Sequence, residues 1–188
     1  MKLIRIITNR ETGEGLYAIR YRPDQTDEFE RLFDLWIRDT EYLFRFFLDN
    51  RRLLQAGFYR GTSVDQAVRS TRYEAKYLQK TLLSLARAGI QGKHGSLQEL
   101  FRPLSNNEYR LGALQKSKAR GSSERRWLRI YAIRFAENCF VVTGGAIKLT
   151  LDMAAPYLND ELLKLEMTRQ FLIDNNFRDQ CDFEYLEL

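Results

Sequence analysis

The sequence predicts an α+β protein, a single domain in which a twisted antiparallel sheet is covered on one face by helices. Three observations predict this class. Strand-like segments stand at the start of the chain and again in its second half, and two amphipathic helical patterns lie between them. The 188 residues are 44 % hydrophobic, which is enough for one sizeable core. We therefore expect residues 1–188 to form one domain with an acidic tail from about 174 to 188.

The first half of the chain predicts a hairpin followed by two helices. LIRIIT and LYAIRYR alternate apolar and polar residues around the turn-forming NRETGEG. Asp24 or Thr26 is then expected to cap a long helix whose apolar positions continue to Phe47. Ser63 is expected to cap a second helix that ends near Gly89 and packs antiparallel to the first. Residues 89–107 predict a short helical turn and irregular chain.

The second half predicts a hairpin, a further strand and a last helix. YRLGAL and WLRIYAIRF read as strands joined by the polar loop KSKARGSSERR. CFVVTGGAIKLT is the next strand, in which Gly144-Gly145 marks a bulge, a sharp bend or a close backbone approach. A helix from about 159 to 172 follows Pro156.

Composition argues against several classes of function. No apolar run approaches the roughly 18 residues of a spanning helix, and the start does not resemble a signal peptide, so we expect a cytoplasmic protein without a membrane partner. Cys139 and Cys181 are expected to be free thiols, and His94 to be incidental, so no metal site and no cofactor are predicted. The acids of Asp27-Glu28 and Asp160-Glu161 are expected to complement helix dipoles.

The charge is concentrated in one segment. From 109 to 134 the chain has eight basic residues and one acid, Glu124. Strand alternation places Arg129 and Tyr131 on one face beside the loop cations, and Lys148 can reach the same area. This pattern predicts phosphate binding, with a base stacked on Tyr131 or Trp127. The predicted nucleic-acid-binding residues are Arg110, Arg120, Arg125, Arg126, Tyr131 and Arg134. The alternative is a solvated loop whose charges only keep the protein soluble.

The tail from 174 to 188 has the opposite charge, with five acids against Arg178. One interpretation docks this tail on the basic hairpin, and the other leaves it as a frayed end.

Residues 97–173 resemble the RelE/HigB toxins of bacterial toxin–antitoxin modules. The resemblance rests on LQELFRPL, the basic hairpin, the strands WLRIYAIRF and CFVVTGGAIKLT, and the helix ELLKLEMTRQFL. It implies a metal-independent endoribonuclease that acts on messenger RNA, often on the ribosome, and an antitoxin partner with a helix-turn-helix domain.

The resemblance also implies roles for individual residues. In the family, a 2′-hydroxyl attacks the adjacent phosphodiester with help from Lys, Arg and Tyr side chains. Lys116 and Lys118 resemble the loop lysines, Arg129 resembles the strand arginine, and Lys148 stands near the arginine that the family places late in the sheet. The chain is longer than typical members, and only Tyr185 could correspond to their C-terminal tyrosine.

A second hypothesis belongs to another class, a non-catalytic module that binds protein or nucleic acid through the same hairpin and sheet. The aromatic-rich first helix, with Phe44, Phe46, Phe47 and Leu48 on more than one face, is then a docking surface for a partner or for a second copy in a homodimer.

Overall fold

The chain folds into a sheet with helices on both faces, which confirms the predicted α+β class. The structure is a computed structural model that describes residues 1–56, 59–104, 114–121, 127–150, 156–177 and 182. In these ranges no helix is long and apolar enough to cross a membrane.

The sheet has mixed strand directions. Its strands are β1 (Lys2–Thr8), β2 (Gly15–Arg20), β3 (Arg102–Pro103), β4 (Gln115–Arg120), β5 (Leu128–Ala136) and β6 (Cys139–Ile147). They lie in the order β1-β2-β6-β5-β4-β3. Neighbours are antiparallel except β2 and β6, which run parallel, so the prediction of a wholly antiparallel sheet was wrong. The connection between β2 and β6 is long and contains helices as well as β3, β4 and β5, so it permits this direction, whereas a tight turn would not.

The first predicted helix is interrupted. The helices are α1 (Glu28–Phe33), a π-helical turn (Asp34–Arg38), α2 (Thr40–Asp49), α3 (Arg51–Leu54), α4 (Val64–Ile90), α5 (Leu97–Leu100) and α6 (Pro156–Asp174). Asp39 leaves the helical conformation, and its side chain accepts the Tyr42 N–H at 2.8 Å, which starts α2. Asp27, and neither Asp24 nor Thr26, caps α1 by accepting the Glu30 N–H at 3.0 Å.

Two hydrophobic cores flank the sheet. Leu16, Ala18 and Val142 belong to the core under α1, α2 and α4, whereas Tyr17 and Val141 belong to the core under α6. The expectation that helices cover one face alone was therefore wrong. Consecutive residues of β6 enter opposite cores, and for this reason all nine residues of this strand are buried.

The glycine pair lies beside a bulge, as predicted. Tyr131 pairs with Gly144, but Ala132 pairs with Val142, so Thr143 is the extra residue of β6. The pair also permits the close approach that the sequence left as an alternative, because a Cβ on Gly145 would lie 2.6 Å from the Arg129 carbonyl oxygen.

Residues 115–120 form β4, so the prediction of a loop from Lys116 to Arg120 was wrong. Ser117 and Ala119 are buried on one face of the strand, and the basic side chains alternate with them on the other. Most of the predicted strand 109–114 and residues 122–126 of the predicted loop lie outside the described residues.

Ser63 caps α4, as the sequence predicts, and this gives a stability prediction. Ser63 Oγ accepts the Gln66 N–H at 3.2 Å, and the Gln66 side chain accepts the Ser63 N–H at 3.0 Å. Ser63→Ala removes one half of this capping box and is expected to lower the free energy of unfolding by about 1 kcal/mol. Urea denaturation followed by circular dichroism measures the loss. Ser84→Ala, at an exposed position within α4, is the control and should leave the midpoint unchanged or slightly raised.

Candidate nucleic-acid interface

Four basic side chains converge at one end of the sheet, and we call them the cationic cluster: Lys118, Arg120, Arg129 and Lys148. Lys118 and Arg120 are two residues apart on β4 and therefore share a face. Arg120 pairs directly with Arg129 on β5. Lys148 follows β6, and its N–H donates to the Trp127 carbonyl at 2.7 Å, which holds it beside the start of β5. Three strands thus position the cluster.

The members of the cluster are close enough to affect one another's ionisation. Burial lowers the pKa of Lys118, and the charges of Arg120, Lys148 and Arg129 lower it further. Burial and then the charge of Arg120 lower the pKa of Arg129. The Lys118 ammonium donates to the Leu104 carbonyl at 2.8 Å, which fixes its position at the sheet edge. The cluster is therefore a preorganised site of positive charge in which like charges repel.

An anion relieves this repulsion. Phosphate oxygens accept hydrogen bonds from Lys and Arg, and a polyanion that meets several of these cations at once gains from each of them. A lysine with a lowered pKa also exchanges a proton at lower pH than an ordinary lysine. The geometry thus places four cations together where a phosphate group would find several hydrogen-bond donors.

Two predicted site residues lie near the cluster but are otherwise engaged. Lys116 forms an ion pair with Glu166 of α6. Tyr131 is 1 % exposed within the core under α6, so its ring has no face open to a base, and the predicted stacking role conflicts with its placement. Trp127, the other predicted stacking ring, is also fully buried and packs on Phe47 and Tyr59.

The other predicted nucleic-acid residues are not brought to the cluster. Arg134 lies five residues from Arg129 on β5, about 17 Å along the strand. Its Nε donates to the Gln98 side chain instead. Arg110, Arg125 and Arg126 lie outside the described residues, as do Tyr185 and most of the acidic tail.

A buried network of charges behind the sheet was missed by the sequence analysis. Arg31 donates to both oxygens of Glu28 at 2.7 Å. Lys164 lies between two carboxylates, 2.9 Å from Glu161 Oε1 and 3.4 Å from Glu28 Oε2. Glu28 and Glu161 are 5 % and 7 % exposed. Asp27 caps α1 and Glu28 lies in its first turn, as the sequence predicts, whereas α6 begins at Pro156 and places Glu161 beyond its first turn.

Glycine at position 144 makes room for this network. A Cβ there would lie 2.0 Å from Glu161 Oε2 and 3.5 Å from Glu28 Oε2. The hydroxyl of Tyr21 continues the network and donates to the Thr143 carbonyl at 2.8 Å. The signal in the sequence was Gly144 itself, although nothing in the pattern identified which side chains approach it.

Glu161 gives a pH prediction. Burial raises the pKa of its carboxyl above the ordinary 4.5, partly offset by Lys164 and Arg31 and reinforced by Glu28. Because the pKa is raised in the folded state, the protonated Glu161 carboxyl favours folding. This contribution to stability is fully present below about pH 4.5 and is lost as the pH rises through the raised pKa.

Glu161→Gln cannot ionise, so its stability relative to the native chain should increase between about pH 4 and about pH 7. Urea midpoints at both pH values measure this change. Asp160→Asn, at an exposed neighbour on α6, should show no comparable increase. A constant difference between Glu161→Gln and the native chain would contradict the burial of a titrating carboxyl.

The proposed docking helix is only partly exposed. Phe47 is fully buried, whereas Phe44 and Leu48 of α2 are 44 % and 49 % exposed. These two side chains are the most exposed part of that surface, and Phe46 is half-buried.

The described cysteine is buried and the histidine is exposed. Cys139 is a free, buried thiol whose pKa burial raises well above its usual range. His94 is exposed. In the described part of the chain, no three His, Cys, Asp or Glu side chains are grouped to hold a metal ion. Cys181 lies outside that part.

The chain matches no protein-family model, no curated protein and no solved structure.

Proposed function

We propose that this protein binds RNA phosphates at the cationic cluster and cleaves the bound strand as a metal-independent endoribonuclease. The observation that carries the proposal is the convergence of Lys118, Arg120, Arg129 and Lys148 from three strands. In this reaction a ribose 2′-hydroxyl attacks the adjacent phosphorus and displaces the 5′-oxygen, which leaves a 2′,3′-cyclic phosphate and a 5′-hydroxyl. Arginines that hold the phosphate stabilise the charge that develops on its oxygens.

Lys118 is the candidate for proton transfer. Its lowered pKa gives it a larger neutral fraction near neutral pH than an ordinary lysine, and a neutral amine can accept the proton of the 2′-hydroxyl. In the toxin hypothesis, an antitoxin restrains the enzyme by covering the cluster, and the messenger RNA of a translating ribosome is its substrate.

A second candidate function is a non-catalytic RNA-binding module. The favouring observations are the ion pair of Lys116 with Glu166, which engages a lysine that the resemblance assigns to the site, and the burial of Tyr131, which removes a ring that the strand pattern assigned to stacking. This function needs only the phosphate contacts of the cluster.

Cleavage products separate the two functions. The native protein is incubated with a labelled single-stranded RNA in the presence of a chelator, and the product ends are mapped. The proposal predicts cyclic phosphate ends that Lys118→Ala abolishes at RNA concentrations that saturate binding. Intact RNA in a complex that survives electrophoresis would contradict catalysis and support the binding module. Absence of both cleavage and binding would contradict both functions.

A further inference from the structure

One face of the 27-residue helix α4 is exposed to solvent along its length. Apolar residues on its other side, among them Ala67, Leu78 and Leu82, are buried in the core that α4 shares with the sheet. The exposed cations and tyrosines recur at intervals of three, four or seven residues, so they lie on one side of the helix. We call them the α4 face: Arg69, Tyr73, Lys76, Tyr77, Lys80 and Arg87.

The α4 face is positively charged. The two acids of the helix do not neutralise it, because Asp65 lies in the first turn and Glu74 is 1 % exposed. The four cations of the face form no ion pair with any residue in the described ranges. From Arg69 to Arg87 the helix rises about 27 Å. A row of cations of this length attracts a polyanion, which can place several phosphates on it at once.

Two tyrosines lie in the middle of this row of cations. Tyr73 and Tyr77 are four residues apart, so both side chains leave the same side of the helix. They are 75 % and 51 % exposed, more than any other aromatic side chain in the described part of the protein. Unlike the buried rings of Tyr131 and Trp127, these two rings have surface on which a base can stack.

Single-stranded nucleic acid is the partner that matches both the cations and the rings. It presents phosphates to the cations and unpaired bases to the tyrosines. A duplex keeps its bases stacked on one another, so it would use the cations alone. A helix that lies on a membrane needs an apolar face free to enter the lipid, whereas the apolar face of α4 is buried in the core.

The α4 face is within reach of an RNA strand held at the cationic cluster. A Cβ on Gly121, the residue after Arg120, would overlap the carboxylate of Glu74, so α4 passes close to the end of β4. Glu74 is next to Tyr73 in the chain, and a helix with its side chains is about 10 Å wide. The exposed side of α4 is therefore about one helix diameter from the end of β4.

We propose that the α4 face is a second RNA-binding surface, which stacks unpaired bases on Tyr73 and Tyr77 and holds phosphates with the surrounding cations. This inference rests on the proposed function for the identity of the nucleic acid as RNA. It deepens that function because it provides a path for the strand beyond the cationic cluster. Binding to the α4 face does not require cleavage.

The test measures the affinity of the full chain for a labelled single-stranded RNA with 2′-O-methyl groups, which cannot be cleaved because no 2′-hydroxyl is free to attack. Tyr73→Ala combined with Tyr77→Ala is expected to weaken binding at least tenfold, because stacked bases lose their rings. Leu163→Ala combined with Met167→Ala is the matched control. This pair is also four residues apart and exposed, but it lies on α6 at the other face of the sheet, so its replacement should leave the affinity unchanged.

The cations of the α4 face are tested in the same way. Lys76→Gln combined with Lys80→Gln should weaken binding of the long strand and make its salt dependence shallower. The matched control is Arg38→Gln combined with Arg45→Gln, which removes the same charge from two arginines already paired with acids. A strand of a few nucleotides reaches the cluster but not the α4 face. Its affinity and salt dependence therefore report the cluster alone, and neither pair of substitutions should change them.

The outcomes separate this inference from the proposed function. A tyrosine variant that binds the long strand as tightly as the native chain would overturn the α4 face, even if Lys118→Ala weakens binding. Loss of affinity in the tyrosine variant, with none in Lys118→Ala, would keep the α4 face and contradict the role of the cluster.

The native chain provides a test that needs no variant. It should bind the single strand more tightly than the duplex that this strand forms with its complement. Equal or tighter binding of the duplex would overturn the stacking of bases on the two tyrosines. Binding to vesicles of anionic phospholipid, without binding to the single strand, would overturn the α4 face as an RNA-binding surface and indicate a membrane surface instead.

Discussion

Gly145→Ala is expected to lower the free energy of unfolding by about 3 kcal/mol, the largest stability loss that we predict from a single methyl group. The new Cβ would lie 2.6 Å from the Arg129 carbonyl oxygen and 2.9 Å from Cη2 of Trp36. Neither atom can move cheaply, because the first belongs to the neighbouring strand and the second to a ring that is 1 % exposed. Equilibrium urea unfolding of the purified protein measures the loss.

Gly92→Ala is the control for Gly145→Ala. Gly92 has a φ of +63°, but nothing lies within 4 Å of a Cβ built on it, so its replacement costs only backbone strain of about 1 kcal/mol. If the Gly145→Ala chain has the denaturation midpoint of the native protein, then β5 and Trp36 do not pack as closely against Gly145 of β6 as described.

Lys118→Ala is expected to weaken the binding of single-stranded RNA about tenfold at low salt, which corresponds to about 1.4 kcal/mol. Lys118 lies among three other cations and contributes its charge to the site that we assign to phosphate. The dependence of log K on log salt should become shallower by about 0.7, since one fewer phosphate is neutralised. Stability should change little, because removal of one of four like charges offsets the loss of its bond to Leu104.

Lys116→Ala is the matched control, because it removes the same charge from the same strand two residues away. Lys116 is already paired with Glu166, so a phosphate gains less from it. Equal losses of RNA affinity in the two variants would contradict a specific role for the cluster and would indicate binding to the general positive charge of β4.

Much of the fold follows from local sequence. The hairpin of β1 and β2, the Ser63 cap and the bulge beside Gly144 each depend on residues near one another in the chain. The parallel pairing of β2 with β6 depends instead on residues more than a hundred positions apart, and no local pattern reports it. The run CFVVTGGAI indicates only that β6 is covered on both faces, since such strands lose the alternation of apolar and polar residues, and it does not identify the neighbouring strand.

Strand β4 was predicted as a loop although its sequence has the two-residue period of a strand. Ser117 and Ala119 face the core, but both are small and one is polar, so the segment resembles a polar loop. Its alternation of basic and small residues nevertheless has the two-residue period of a strand. That period places Lys118 and Arg120 on one face, as the cluster requires.

The basic residues of the site could be predicted from the sequence, but the buried carboxylate near them could not. The basic segment and the proximity of Lys148 followed from sequence, and the structure brings Lys118, Arg120, Arg129 and Lys148 together. The buried carboxylate of Glu161 did not follow, because acidic side chains are mostly exposed in folded proteins. Only the approach of α6 to Gly144 turns it into a buried group.

The salt dependence of RNA affinity tests the central claim most directly. If the four cations of the cluster each neutralise one phosphate, log K for a single-stranded RNA should fall against log salt concentration with a slope of about −3 for the native protein. A slope near zero, or no measurable binding at low salt by a folded chain, would contradict the assignment of the cationic cluster as an RNA-binding site.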